Sequence, residues 1–186
     1  MRLLLFLASA VCVSAGVFPW KNIFFPRIEA PGNIKVQDEF DVSIETPDLR
    51  ARQTSKLILG NGLRVFIVSD PGIIKAGAAL SVETGSWRDP PGVSGLAHFT
   101  EHMLFMGSKE FPAEGEFDRY VSAHAGRNNA WTSGDHTVYY FNILPQGLLG
   151  ALDRFSQLFA APVFPSLISM LISLLIDLHW RENVKQ

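Results

Sequence analysis

His98, Glu101 and His102 are the residues of this chain whose types and spacing could do chemistry. They lie in the stretch Gly95-Leu-Ala-His-Phe-Thr-Glu-His-Met-Leu-Phe-Met106, whose apolar spacing predicts a helix. On a helix, His98 and His102 are i and i+4, so one ion can be reached by both. Glu101, at i+3 from His98, projects from nearly the same face. Two imidazoles and a carboxylate on one helical turn suit a catalytic Zn²⁺ site. The imidazoles would bind the ion. The carboxylate would take a proton from bound water, whose pKa the ion lowers to about 7. The order H-x-x-E-H reverses the H-E-x-x-H arrangement. Taken alone, the same five residues also fit an amphipathic helix with a solvated polar face.

The elements that must position this turn can be read on either side of it. Lys56–Leu59 and Leu63–Ser69, joined by Gly60-Asn61-Gly62, read as a β-hairpin. Residues 74–84 read as a third strand. Gly85–Gly92, with a double proline, is a loop that feeds the helix expected over 94–106. A helix is expected over 116–124, with Phe117, Tyr120 and Val121 at helical spacing. Residues 128–132 and 136–144 read as strands around a Ser133-Gly134-Asp135 turn. A helix over 148–160 would carry Leu149, Leu152, Phe155, Leu158 and Phe159 on one side. Together these predict an α+β fold, an antiparallel or mixed sheet with helices packed on one face, as an incomplete single domain.

The 186 residues suffice for one domain, and a hydrophobic fraction of 47% with 18% charged residues is globular rather than disordered. A formal net charge of −2 without a basic stretch argues against nucleic acid as a partner. Residues 1–15 read as a signal peptide: Met1-Arg2 is positive, Leu3–Val13 is apolar, and Val13 and Ala15 supply small residues before a cleavage point. The apolar run is short for a membrane span of ~20 residues, so a membrane anchor is disfavoured and the secretory pathway or the extracellular space is expected. Residues 16–54 read as an extended N-terminal arm with little regular structure. Residues 55–164 form the domain, and 165–186 a divergent apolar tail. The one cysteine, Cys12, falls within the leader, so any metal must use His, Asp or Glu.

Around the motif the chain resembles a known family. Leu59-Gly-Asn-Gly-Leu-Arg-Val65, Gly85-Ser-Trp-Arg-Asp-Pro-Pro91, Gly95–Gly107, Ser122-Ala-His-Ala-Gly126, Asn129-Ala-Trp-Thr-Ser133, His136-Thr-Val-Tyr-Tyr-Phe141 and Ala151-Leu-Asp-Arg-Phe155 are similar, in order and spacing, to the N-terminal catalytic domain of the pitrilysin/insulysin-type zinc metalloendopeptidases, the inverzincins. The resemblance runs from Lys56 to about Phe164. It implies that His98 and His102 ligate one Zn²⁺ and that Glu101 is the general base. It implies that Asn129, Ala130 and Trp131 form the edge strand that pairs with a peptide substrate. Phe105 would line the pocket beside the scissile bond, although core packing accounts equally well for Phe105 and Trp131. His124 and His136 have no implied role.

The sequence departs from the family after Phe164. The resemblance implies a third ligand, a glutamate roughly 75–80 residues beyond the second histidine on an acidic helix, because a catalytic zinc takes three protein ligands. Here that region is the apolar Ser166–Ile176. His179 stands at the implied offset and Glu182 three residues later, or the tail is unrelated sequence and the site has two ligands; the abrupt change in composition favours the last. The family's C-terminal domains, which close over the substrate, are also missing. The sequence thus reads as a zinc metalloendopeptidase domain in truncated form, or as a peptide- or partner-binding fragment of one that does not cleave.

Overall fold

A computed structural model describes residues 52–164 in full, together with the backbone of two earlier strands. The tail over 165–186, with His179 and Glu182, lies outside the described residues, as does most of the expected leader and arm.

Seven strands form one sheet: β1 (Ala8–Ala15), β2 (Val36–Asp41), β3 (Gln53–Leu59), β4 (Arg64–Asp70), β5 (Ala76–Val82), β6 (Arg127–Thr132) and β7 (Thr137–Ile143). Their spatial order is β2-β3-β4-β1-β5-β7-β6. Every neighbouring pair is antiparallel except β1 with β4, so the sheet is mixed. The helices are α1 (Leu96–Leu104), α2 (Glu116–Ala123) and α3 (Leu148–Ala160). The α+β class expected from the sequence is the one observed. No helix among the described residues is long and apolar enough to cross a membrane.

The β3–β4 hairpin forms where Gly60-Asn61-Gly62 predicts it. Gly62 sits at φ +85°, which a glycine adopts without steric cost, and its N–H donates to the Leu59 carbonyl at 2.8 Å. The strands β5 and β7 then alternate faces, as strand geometry requires. In β7, Thr137, Tyr139, Phe141 and Ile143 are buried, whereas Tyr140 and Asn142 are exposed. Across the pair, Ala76 faces Ile143 and Ala78 faces Phe141. The helices cover this face. Phe117 and Val121 of α2 join Leu148, Ala151, Leu152, Phe155 and Leu158 of α3 in one core with the β7 side chains. The rings of Phe117, Phe141 and Phe155 meet at 5.2–5.8 Å between centroids, the spacing of favourable aromatic pairs.

Three details differ from the sequence reading. Leu149 is 52% exposed, so Leu148 and Ala151 take the place expected for it. The stripe on α3 is rotated because Leu148, 1% exposed, anchors the first turn. The arm, expected to have little regular structure, contributes the strand β2, which pairs with β3. Finally, Ala8–Ala15, within the expected leader, occupies the centre of the sheet: Val11 pairs with Phe66 of β4 on one side and with Ala79 of β5 on the other.

Candidate active site

The helix α1 begins later than its apolar pattern predicts, because Gly95 stands at φ +90° and is not helical. A helix N-terminus leaves orphan N–H groups that need acceptors. No residue adjacent to the helix supplies one by its side chain. Asp89, from the loop before, does so instead. Its Oδ2 accepts the Gly95 N–H at 2.7 Å and its Oδ1 the Ala97 N–H at 2.9 Å. The negative carboxylate also complements the positive end of the helix dipole. This clamp fixes the first turn, and His98 follows directly.

One turn on, the motif residues converge. The Nε2 atoms of His98 and His102 stand 3.1 Å apart, and their rings meet edge to face at 4.7 Å. Two nitrogens each about 2.0–2.1 Å from one tetrahedral ion are ~3.3 Å apart, so the observed spacing fits shared ligation. Both rings are open to solvent, whereas Glu101 is 5% exposed. One donor atom from each of the three residues lies within 4.8 Å of the others. Among the described residues no further His, Cys, Asp or Glu joins the cluster. Were both Nε2 atoms to ligate one ion, the ring proton of His98 would sit on Nδ1. That atom lies 3.4 Å from Glu101 Oε2, the carboxylate partnering typical of a metal-bound histidine. The donor chemistry and spacing both fit Zn²⁺.

Glu101 is held from the sheet. Thr132, the last residue of β6, donates its hydroxyl to Glu101 Oε2 at 2.5 Å. Tyr139 of β7 senses the same carboxylate electrostatically. Burial, and then the negative charge of Glu101, push the Tyr139 hydroxyl well above its ordinary range.

The residues expected to bind substrate differ in their exposure. β6 is one of the two edge strands of the sheet, β2 being the other. Along it, Asn129 and Trp131 are exposed on one face while Ala130 is buried against the helices. Trp131 is 45% exposed and meets the His136 ring edge-on at 4.8 Å, so it is not a core residue. His136 in turn contacts Asp135 at 2.6 Å, and that hydrogen bond, the largest influence, holds the Asp135 carboxyl below its ordinary value. Phe105 is partly buried between the rings of Phe117 and Tyr139, at 6.3 and 6.0 Å, so packing accounts for it. The sequence reading missed Asp89 and Thr132. Asp89 lies six residues before Gly95, outside any local capping pattern. Thr132 had a weak signal, since it shares the inward face of β6 with Ala130.

Comparison with known proteins accounts for this arrangement. The family model for insulinase (peptidase family M16) matches residues 64–170. The human insulin-degrading enzyme is 51% identical over 113 residues, covering 61% of this chain and 11% of that protein. The A-factor-processing enzyme of Saccharomyces cerevisiae is 45% identical over 125 residues, covering 67% of this chain and 12% of its own length. The crystal structure of pitrilysin superimposes with a TM-score of 0.64 at 36% identity, covering 69% of this chain and 14% of that one. The chain therefore spans roughly a tenth of the length of the relatives it matches. The matched segment contains the paired imidazoles, the buried carboxylate and the edge strand, and it covers more than half of the chain, which belongs to the insulinase family, peptidase family M16.

Proposed function

We propose that this chain carries the zinc-binding portion of a metalloendopeptidase that hydrolyses peptide bonds of peptides and small proteins. The observation that carries the reading is the buried Glu101 carboxylate beside two imidazoles whose Nε2 atoms share one point. His98 and His102 would hold the ion. A bound Zn²⁺ supplies Lewis acidity and lowers the pKa of coordinated water to about 7. Glu101 accepts a proton from the attacking water and returns it to the departing amine. An extended peptide adds to the free edge of β6, where main-chain hydrogen bonds at Asn129–Trp131 align it and exposed Trp131 offers an apolar surface. The names of the relatives, insulin-degrading and A-factor-processing enzymes, support a peptide substrate. Partner domains beyond this chain would complete the substrate chamber.

The test is Glu101→Gln in the zinc-loaded chain. Peptide turnover should fall at least about a hundredfold while bound zinc is retained, because general base catalysis contributes about 10²–10⁴ in rate. Unchanged cleavage would refute the assignment. A second reading, a fragment that binds peptide without cleaving, is favoured by the two-histidine cluster among the described residues. Zinc lost on dialysis, with peptide still bound and none cleaved, would establish it.

We also propose that residues 1–15 direct the chain into the secretory pathway. The support is the positive start, the apolar run and the small residues Val13 and Ala15. N-terminal sequencing of exported protein should begin at Gly16; export with Met1 retained would exclude cleavage there.

A further inference from the structure

We infer that Thr132 is a positioning residue for the general base, fixing the Glu101 carboxylate so that one oxygen is fully occupied and the other is left for the attacking water. The inference rests on the peptidase reading above and adds a residue to it. Two groups converge on Glu101 Oε2: the Thr132 hydroxyl at 2.5 Å and His98 Nδ1 at 3.4 Å. Among the described residues none donates to Oε1. A hydroxyl bonded to an ionised carboxylate at this distance makes one of the stronger hydrogen bonds, so it defines the rotational state of the carboxylate.

The sheet keeps that hydroxyl committed. Thr132 faces Thr137 across the β6–β7 pair. Thr137 donates its own proton to the Thr84 carbonyl at 2.8 Å, with the two threonine oxygens 3.5 Å apart. The Thr137 proton is thus used elsewhere, and the Thr132 proton goes to Glu101. A β-branched side chain in a strand is restricted at χ1, which holds the hydroxyl in place. The rest of the inward face of β6 is tied down similarly: Ala130 is buried and Asn128 Nδ2 donates to Asp118 of α2 at 2.5 Å. Glu101 sits on a helix whose two histidines are solvent-exposed, so this bond is its tether to the rigid sheet. Thr132 also ends the strand to which a peptide would add. The peptide is paired by main chain, which a side-chain change leaves intact.

The experiment uses the zinc-loaded full chain with Thr132→Val, which keeps the branched shape and removes the hydroxyl, and Thr132→Ser, which restores it. Zinc affinity, kcat and KM for a peptide, and binding of acetohydroxamate are measured. Acetohydroxamate chelates zinc and gives its hydroxyl proton to the base, so it reports on the carboxylate without turnover. The expected result for Thr132→Val is a kcat at least about tenfold lower with KM and zinc affinity unchanged, and recovery to within about threefold in Thr132→Ser. Equal kcat in wild type and Thr132→Val would overturn the inference. If the wild-type chain holds zinc and cleaves nothing, the peptidase reading fails and the probe decides. Acetohydroxamate binding weakened about fivefold or more in Thr132→Val, and restored in Thr132→Ser, then supports the positioning role, and equal binding overturns it. A chain that retains no zinc overturns both.

Discussion

Glu101 owes its character to what surrounds it rather than to its place in a motif. It is buried, yet it accepts a hydroxyl, and its charge acts on a tyrosine. That tyrosine gives a pH prediction with a definite sign. Tyr139 ionises near its ordinary value of 10.0 when unfolded and well above it when folded. Above pH 10 the unfolded chain therefore binds fewer protons than the folded one, and stability falls as pH rises. The Tyr139→Phe variant lacks this linkage. Its unfolding free energy should decline less steeply with pH than that of wild type above pH 10, the two slopes differing by up to about 1.4 kcal/mol per pH unit; parallel curves would deny the linkage. Residues of this kind mark the limit of sequence reading. His98, Glu101 and His102 were legible because helical periodicity brings i, i+3 and i+4 together. The Thr132 hydrogen bond and the influence of Glu101 on Tyr139 were not, since both depend on how α1 sits across β6 and β7.

At the scale of elements, α1 is a short helix held at its start by a loop. Three of its features were readable: the apolar stripe, the preceding prolines and the motif face. Its true start was not, because Gly95 adopts a positive φ and the capping acid comes from Asp89. Asp89→Ala should remove both acceptors from the first turn. Loss of such a cap costs about 1–2 kcal/mol, seen as a lower melting temperature, and the freed turn should weaken zinc binding at His98. Asp89→Asn, which retains one acceptor oxygen, should recover part of each; identical behaviour of all three proteins would show the clamp to be idle. The alternation in β7 and the apolar stripe of α3 were legible for the same reason as the motif, since period alone assigns faces. Leu149 was misplaced because several leucines share that stripe and only packing selects among them.

At the scale of the molecule, the sheet gathers strands from distant parts of the chain. Local hairpins such as β3–β4 and β6–β7 are visible in sequence because the turn lies between the partners. The place of β1 is not, because a parallel partner such as β4 lies far along the chain and no turn records the pairing. Loss of residues 1–15 would leave β2-β3-β4 and β5-β7-β6 as two separate antiparallel halves. Strands in a sheet are about 4.8 Å apart, so β4 and β5 stand roughly 9–10 Å from each other, too far to bond directly. Their facing amides and carbonyls then form a vacant berth for one extended strand, in addition to the exposed rim at β6. A leaderless chain thus gains an internal address for a peptide backbone besides the edge strands β2 and β6, and of these β6 adjoins Glu101. Peptide affinity alone would confuse these addresses, and its dependence on added zinc is the quantity that reports on the one beside Glu101.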